Sequence, residues 1–215
     1  MEEAKNTKDK RRLRGEESRK LILLAAIDSI AIQGLANLTL DRVAERVGIS
    51  RGLVVFHFKS KNNLIEEVLE YLGIQYAVGW HAIVEEKGEA PVSKLLRLID
   101  YDVRFACENP KYVSAWHAFW GDSKGNLLFH EQAVPRDEGY TADLAQLLET
   151  VCDEGGCDKQ DLSSVTRGLV AMMFGVWTQL HLNPGADDYA VNVKAIWLFL
   201  EKMFPQIKFP KIPVN

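Results

Sequence analysis

Residues 38–61 read LTLDRVAERVGISRGLVVFHFKSK, and this stretch decides the fold of the N-terminal part of the chain. Thr39 precedes a short amphipathic run that ends at Gly48, and Ser50 precedes a second run that ends near Phe58. A hydroxyl side chain before an apolar run caps a helix N-terminus, and glycine commonly ends a helix. The sequence therefore predicts two short helices joined by a tight turn, the arrangement of a helix-turn-helix.

The second of these helices has two different faces. Val54 and Phe58 are four residues apart and are predicted to face the core, so the predicted outer face holds Arg51, Gly52, Val55 and Phe56. An arginine in the first helical turn can bond a guanine edge or a phosphate, and Gly52 lets the backbone approach DNA closely. Residues at the helix ends suit phosphate contacts that fix the register. The predicted DNA-binding residues are Thr39, Ser50, Arg51, Gly52, Leu53, Val55, Phe56, His57 and Lys61.

Charge is distributed unevenly, although the formal net charge of the chain is only −4. Residues 1–61 hold 13 Lys and Arg against 8 Asp and Glu, a local charge of +5, so the remainder carries −9. A basic module on an acidic body is typical of a DNA-binding segment joined to a domain with another role. Residues 1–15 are predicted to form a mobile basic arm. Its candidates for minor-groove or phosphate contacts are Lys10, Arg11, Arg12 and Arg14.

Helical periodicity continues along the chain, and no segment alternates convincingly as a strand would. Beyond a first helix that ends near Gly34 and a long helix that follows Ser60, helices are predicted at about 91–109, 111–121, 137–154, 161–182 and 187–204. The predicted fold class is all-α, with a three-helix DNA-binding domain at 16–62, a larger helical ligand-binding and dimerisation domain at 63–205 and a tail at 206–215. No apolar run reaches the roughly 18 to 20 residues of a membrane span, and no secretory signal is recognisable, so we expect a cytoplasmic protein.

The reactive side chains form no pattern typical of an enzyme or a metal site. Cys107, Cys152 and Cys157 are an odd number of cysteines without a paired motif, and the five histidines are scattered. The cysteines are expected to be reduced and either buried or incidental. There is no candidate nucleophile and base, and no phosphate-binding glycine loop. We therefore expect no enzymatic activity, no cofactor and no metal.

The stretch at 38–61 resembles the N-terminal signature of the TetR family of bacterial regulators. The matching features are a threonine-initiated helix, a Val-Gly-Ile-Ser turn at 47–50, a glycine at the start of the next helix and the ending His57-Phe58-x-x-Lys61. The resemblance covers about residues 16–72 and implies a ligand-responsive repressor that binds a palindromic operator as a dimer. Val55 departs from the family, which commonly has a tyrosine two residues before the histidine. Apolar contact of Val55 or Phe56 with a thymine methyl becomes the alternative to a phosphate contact.

The last two predicted helices carry the material for the dimerisation that this resemblance implies. The segment at 164–182 is apolar on nearly all sides, and a helix of that kind must be buried all round. Gly168, Ala171 and Gly175 permit the close approach of another helix. A homodimer is favoured over a monomer core that uses up both helices, because two half-sites supply the affinity that one short recognition helix lacks.

Aromatic residues of the larger domain predict a cavity between its helices. Ring faces hold quaternary ammonium groups, so an aromatic site beside Asp100, Asp102 or Asp122 would suit a cationic ligand. The alternative is that these rings are core. The predicted ligand-binding residues are Tyr101, Phe105, Trp116, Phe119, Trp120 and Trp177.

A second resemblance bears on the ligand. AWHAFW at 115–120, LVAMMFGVWTQ at 169–179 and the Asn183-Pro184-Gly185 ending resemble the C-terminal domain of the BetI-like branch, repressors of betaine synthesis that respond to choline. The resemblance implies a choline-like effector that shifts the spacing of two recognition helices, as an inducer or as a corepressor. Two alternatives stay open: a DNA-binding regulator or scaffold without an effector, and a helical enzyme with a vestigial DNA-binding domain.

Overall fold

The structure, a computed structural model, describes residues 2–183 and 189–210, and side chains within these ranges except at 2–12 and 123–126. The described part of the chain is helical and contains no strand, which confirms the predicted all-α class. The helices are α1 (Glu2–Gln33), α2 (Leu40–Val47), α3 (Arg51–Phe58), α4 (Lys61–Glu85), α5 (Pro91–Glu108), α6 (Pro110–Gly121), α7 (Ser123–Gln132), α8 (Val134–Gly155), α9 (Leu162–Leu182) and α10 (Tyr189–Met203).

The predicted helix boundaries hold within a few residues, with two exceptions. α1 begins at Glu2, whereas residues 1–15 were predicted to precede the first helix. Lys, Arg, Glu and Ala are strong helix formers even where no apolar face exists, so a charged segment can continue a helix. The predicted mobility of this arm stays a prediction, and the side chains of Lys10, Arg11 and Arg12 lie outside those described.

α7 is the second exception, because no helix was predicted between 121 and 137. Its apolar residues, Leu127, Leu128 and Phe129, are consecutive rather than three or four apart, so they produce no helical stripe in the sequence. Phe129 is buried and Leu127 is exposed. Pro184 and Gly185 of the predicted ending, and residues 211–215 of the predicted tail, lie outside the described residues.

The chain divides into two compact units. The first comprises Met1–Leu72 and Ser114–Phe129, and the second comprises Gly73–Val113 and His130–Asn215. This division differs from the predicted boundary at 62/63, because the start of α4, most of α6 and part of α7 belong to the unit that contains the helix-turn-helix. The predicted functional boundary stays a prediction.

Each unit has its own apolar core. In the first unit, α1, α2 and α3 pack together, and the largest fully buried side chains include Ile22, Ile27, Phe58 and Leu64. In the second unit, α5 packs against α8, α9 and α10. Fully buried side chains of that unit include Trp80, Leu95, Leu98, Leu148, Leu169 and Leu200. None of the helices in the described ranges is both long and apolar enough to cross a bilayer.

Candidate DNA-binding and effector sites

Two side-chain caps and one left-handed glycine build the helix-turn-helix. The Thr39 hydroxyl accepts a hydrogen bond from the backbone N–H of Arg42 at 3.2 Å, and the Ser50 hydroxyl accepts one from the backbone N–H of Leu53 at 3.3 Å. Gly48 ends α2 with a φ of 74°, a conformation that residues with a side chain rarely adopt. These local contacts fix where α3 begins and which of its faces turns away from the core.

The faces of α3 are those that the spacing predicts, except that Val55, which was predicted to face outward, is half-buried. Val54 and Phe58 are buried against the first unit's core. Arg51 and Gly52 are exposed, and Phe56 is 67% exposed although it is a large apolar residue. The remaining predicted contact residues of the helix, which are half-buried, are Leu53, Val55 and His57.

Gly52 has no structural reason to be glycine. A Cβ atom at this position would meet only the Ser50 hydroxyl oxygen, at the ordinary contact distance of 3.8 Å, and the backbone of Gly52 is not left-handed. Helical glycine costs up to about 1 kcal/mol relative to alanine. The protein therefore leaves open space at the exposed first turn of α3, where the backbone of another molecule can approach.

A groove of about 480 Å³ lies beside this face of α3. Four of the predicted DNA-binding residues line it, namely Thr39, Arg51, Val55 and Lys61. The other lining residues were not predicted to bind DNA: Leu38, Leu40, Asp41, Lys59 and Ser60. Lys59 and Ser60 occupy the two unassigned positions of the His-Phe-x-x-Lys ending. The position of Lys59 between two predicted contacts, His57 and Lys61, was the sequence feature that could have identified it as a further DNA contact.

Each of the three cations in the groove has a partner within the protein. The Lys59 ammonium donates to the Phe56 carbonyl at 3.0 Å, and the Lys61 ammonium donates to the Ala36 carbonyl at 3.1 Å. Arg51 Nε lies 3.4 Å from Asp41 Oδ1, and both side chains are largely exposed. Ion pairs between such exposed groups contribute at most about 1 kcal/mol, so a phosphate or a base edge can replace Asp41 as the partner of Arg51.

The His57 imidazole lies at the end of α3, where its ring packs edge-on against Phe56. Burial lowers the pKa of His57, and the nearby cations Arg19 and Lys59 lower it further. The imidazole is therefore neutral at pH 7 and can donate one hydrogen bond to a phosphate oxygen.

A buried carboxylate occupies the centre of the second unit. Asp102 on α5 is only 4% exposed. Its Oδ1 atom accepts hydrogen bonds from the Tyr76 hydroxyl at 2.9 Å and from the Trp177 indole N–H at 3.1 Å. Its Oδ2 atom is buried and has no hydrogen-bond partner among the described residues. Burial raises the pKa of Asp102 to about 7, although both hydrogen bonds act to lower it.

Aromatic rings surround this carboxylate. The Tyr76 ring centroid lies 5.6 Å from that of Tyr101, 5.3 Å from that of Phe105 and 5.6 Å from that of Trp177. Tyr140 is 5.1 Å away, and its buried hydroxyl has no partner among the described residues. We name these five rings and Asp102 the Asp102 cluster. It brings together three of the six predicted ligand-binding residues and adds Tyr76 and Tyr140, which were not predicted.

The Tyr101 ring is held in place by a glycine of α4. A Cβ atom at Gly79 would overlap the Tyr101 ring, far inside van der Waals contact, and the Tyr101 hydroxyl donates to the Tyr76 carbonyl at 2.6 Å. Unlike Gly52, Gly79 is thus required by the packing of the protein itself.

The other three predicted ligand-binding residues belong to the first unit. Trp116 stacks with Trp120 at 6.5 Å between ring centroids, and both rings meet Phe129 edge-on. Phe119 is fully buried. The role of these three residues in ligand binding stays a prediction. Of the carboxylates predicted beside the aromatic site, Asp122 also lies in the first unit.

Asp100, the third of these carboxylates, lies at the surface of α5. Its Oδ2 atom is 3.2 Å from Arg104 Nε. It also accepts a hydrogen bond from the Tyr189 hydroxyl. Asp102 is therefore the carboxylate that the structure brings together with the predicted rings.

Family models match both parts of the chain. Residues 22–68 match the model described as "Bacterial regulatory proteins, tetR family", and residues 91–205 match that of "BetI-type transcriptional repressor, C-terminal". The chain belongs to the TetR family. It is a DNA-binding transcriptional regulator with a BetI-type C-terminal domain, as the two sequence resemblances imply.

A curated relative agrees with this assignment, and solved structures share the fold. The "HTH-type transcriptional regulator BetI 2" of Chromohalobacter salexigens is 28% identical over 171 residues, which cover 78% of this chain and 77% of that protein. A TetR transcription regulator from Haloarcula marismortui has a TM-score of 0.75 at 21% identity, over 87% of this chain and 98% of that one. A transcriptional regulator from Saccharomonospora viridis, solved in complex with choline, has a TM-score of 0.70 at 20% identity, over 86% and 96% of the two chains.

The TetR-family C-terminal domain of this chain exposes two apolar stripes. On α9, Ala171, Phe174 and Leu182 are exposed three to eight residues apart, and Phe174 is 52% exposed. On α10, which packs against α9, Val191 and Leu198 are exposed. The prediction that the 164–182 helix is buried all round does not hold within a single copy of the chain, because this stripe is open.

Proposed function

We propose that the protein binds a palindromic operator as a homodimer through the outer face of α3 and the adjacent groove, and that a cationic effector bound at the Asp102 cluster changes its affinity for DNA. The exposed face of α3 is the single observation that carries the DNA-binding part of the proposal. An open first turn at Gly52, an exposed Arg51 and the lysines of the groove combine a surface for base edges with a surface for phosphates.

Selection of bound fragments from the source genome would identify the operator. With that DNA, Arg51→Ala is expected to weaken binding by about 1–3 kcal/mol, whereas Lys87→Ala, which removes an exposed cation of the second unit, leaves affinity nearly unchanged. Binding is measured by fluorescence anisotropy at a fixed salt concentration. Equal affinity of Arg51→Ala and the wild type would mean that α3 is not the reading helix.

The unpartnered Oδ2 atom of Asp102 supports a cationic effector. A buried carboxylate oxygen needs either a proton or a positive partner, and the faces of surrounding rings attract cations. Quaternary ammonium ions satisfy both needs, because they carry a diffuse charge and donate no strong hydrogen bond. The choline bound by the structural neighbour and the BetI names of the relatives favour choline as the first compound to test.

Isothermal titration calorimetry can compare choline with 3,3-dimethylbutan-1-ol, which has the same shape without the charge. We expect heat from choline and at least tenfold weaker binding of the neutral alcohol. Flat heats with both compounds at millimolar concentration would favour the second candidate function, a DNA-binding regulator without an effector. One observation favours this second candidate. The ring centroids around Tyr76 lie 5.1–5.6 Å from its own, and such distances are also those of a packed core.

The open stripes of α9 and α10 support dimerisation, because exposed apolar surface of this kind is normally covered by a partner. Two copies would present two recognition helices to half-sites about 34–36 Å apart. α4 is the element that would transmit the effector signal, since one continuous helix carries Leu64 in the core of the first unit and Tyr76 in the Asp102 cluster. The effector then selects between dimer arrangements that fit DNA and arrangements that do not, and we place this activity in the cytoplasm with the DNA.

A further inference from the structure

The turn after α8 brings two cysteines together. Gly156 ends this helix with a φ of 67°, and the next residue, Cys157, donates its backbone N–H to the carbonyl of Cys152 at 3.0 Å. A hydrogen bond from a residue to the carbonyl five positions earlier marks the Schellman motif, in which the side chains of these two positions characteristically meet. Sequence spacing alone does not reveal this contact, because four residues separate the cysteines.

The two side chains do meet in this turn. The Cys157 thiol lies close enough to Cys152 to help raise the pKa of the Cys152 thiol. Cys157 Sγ also lies 3.5 Å from the point where a Cβ atom on Gly155 would be. Both cysteines are free, Cys152 is fully buried, and Cys157 is half-buried and reachable from solvent.

From this juxtaposition we propose that Cys152 and Cys157 are a modification site that hydrogen peroxide converts reversibly into a disulfide. The Cys157 sulfur, as thiolate, attacks one oxygen of hydrogen peroxide and becomes a sulfenic acid, while the O–O bond breaks and the other oxygen leaves as water after protonation. The Cys152 sulfur then attacks the Cys157 sulfur, the S–O bond breaks, and the hydroxyl leaves as a second water with the thiol proton. Two thiols are oxidised and one peroxide is reduced to two waters.

The surroundings of the turn assign the two roles. Burial raises the pKa of Cys152 to about 11, and the adjacent Cys157 thiol and Asp153 act in the same direction, whereas Lys159 opposes them. Cys152 is therefore a poor nucleophile toward the peroxide, and it acts second, as the thiol that attacks the sulfenic acid of Cys157. Lys159 is itself bound to Glu149 at 3.1 Å and to Asp153 at 2.6 Å.

Trypsin makes the site easy to assay, because residues 137–159 contain no internal Lys or Arg and hold both cysteines in one peptide. The full-length protein is treated with hydrogen peroxide, blocked with iodoacetamide, digested and weighed by mass spectrometry. We expect this peptide to escape alkylation and to weigh two hydrogen atoms less than the reduced peptide, and we expect dithiothreitol to restore both thiols. The Cys107 peptide, from α5, provides an internal control for access of the reagents.

Two variants assign the order of events. Cys152→Ala is expected to leave Cys157 as a sulfenic acid that a cyclic 1,3-diketone captures, whereas Cys157→Ser protects Cys152 from oxidation at the same peroxide dose. A wild-type peptide that only gains oxygen atoms, or one that remains fully alkylated while the Cys107 peptide is oxidised, would overturn the proposal. Disulfide linkage of Cys107 to either cysteine would overturn it as well.

Discussion

Replacing Asp102 with asparagine is expected to make the free protein more stable at pH 8 and to make it a poorer receptor for cations. The asparagine side chain would keep the oxygen that accepts from Tyr76 and Trp177, and it would remove the negative charge that burial disfavours. A substitution with opposite effects on stability and on binding separates a functional carboxylate from a structural one.

The pKa shift of Asp102 sets the size of the stability effect. Burial raises the pKa from 3.8 to about 7, a rise of about three units, each worth about 1.36 kcal/mol. The pKa of Asp102 is higher in the folded state than in the unfolded state. The free energy of unfolding of the wild type therefore falls by up to roughly 4 kcal/mol as the pH rises from about 4 to about 7. The new amide nitrogen lacks an acceptor, which costs about 1–2 kcal/mol. A net gain of about 2 kcal/mol at pH 8 corresponds to about 4–8 °C in Tm.

The loss of binding follows from the same charge. The Coulomb attraction between a cation and a carboxylate about 4 Å apart is roughly 4 kcal/mol at an effective dielectric constant of 20. The cost of removing both charges from water offsets part of this attraction. We expect the Asp102→Asn variant to bind choline about 100-fold more weakly, which is about 2.7 kcal/mol. Its affinity for 3,3-dimethylbutan-1-ol should hardly change, because that alcohol carries no charge.

Thermal unfolding at pH 5 and pH 8, together with calorimetric titration at pH 8, measures both effects. Asp100→Asn is the matched control, since Asp100 is on the same helix but only half-buried and paired with Arg104. The stability gap between Asp102→Asn and the wild type should be larger at pH 8 than at pH 5. The reasoning is refuted if the variant is less stable than the wild type at both pH values, or if choline and its neutral analogue lose affinity equally.

Three further substitutions test other features. Gly79→Ala forces its Cβ onto the Tyr101 ring, so we expect a loss of about 1–3 kcal/mol and weaker effector binding, and an unchanged Tm would contradict the packing. Lys59 has a φ of 64°, which glycine adopts without strain, so Lys59→Gly should raise the free energy of unfolding by about 1 kcal/mol. The same substitution removes a cation, so the plot of log K against log salt for operator binding should become less steep by about one. An unchanged slope would show that Lys59 is not in the DNA interface. Phe174→Glu should yield a monomer in sedimentation velocity, whereas Leu127→Glu, an exposed apolar control in the other unit, should not; a dimeric Phe174→Glu variant would rule out the α9 stripe.

The features that could be predicted from the sequence depend on contacts between near neighbours. Thr39 and Ser50 cap helices through atoms three residues away, and Gly48 ends a helix by its own conformation. These contacts join residues that are close in the sequence. The turn, both caps and the buried face of α3 were therefore predictable. α7 was not, because its buried residue, Phe129, follows Leu127 and Leu128 directly and forms no periodic pattern with them.

The Asp102 cluster depends on contacts over long separations. Tyr76 lies 26 residues from Asp102, and Trp177 lies 75 residues from it. Composition alone predicts rings beside a carboxylate, and it cannot distinguish Asp102 from Asp100 two residues earlier. The helical period decides between them: two residues apart on a helix are about 200° apart, so only one of the pair can face the core.

Both proposed sites contain groups that the free protein holds at a cost. Asp102 is buried with an oxygen that has no partner in the part of the chain that the structure describes, and Lys59 has a positive φ although it is not glycine. Gly52 weakens a short helix without any packing gain. A sequence that served folding alone would lose such features, since common substitutions at each position remove the cost. Each lies where a ligand of matching chemistry can bind: a cation against Asp102, a phosphate against Lys59 and a close surface against Gly52. Asp102 fits an effector, and Lys59 and Gly52 fit DNA. Together these three features support the proposed function more strongly than any one contact does.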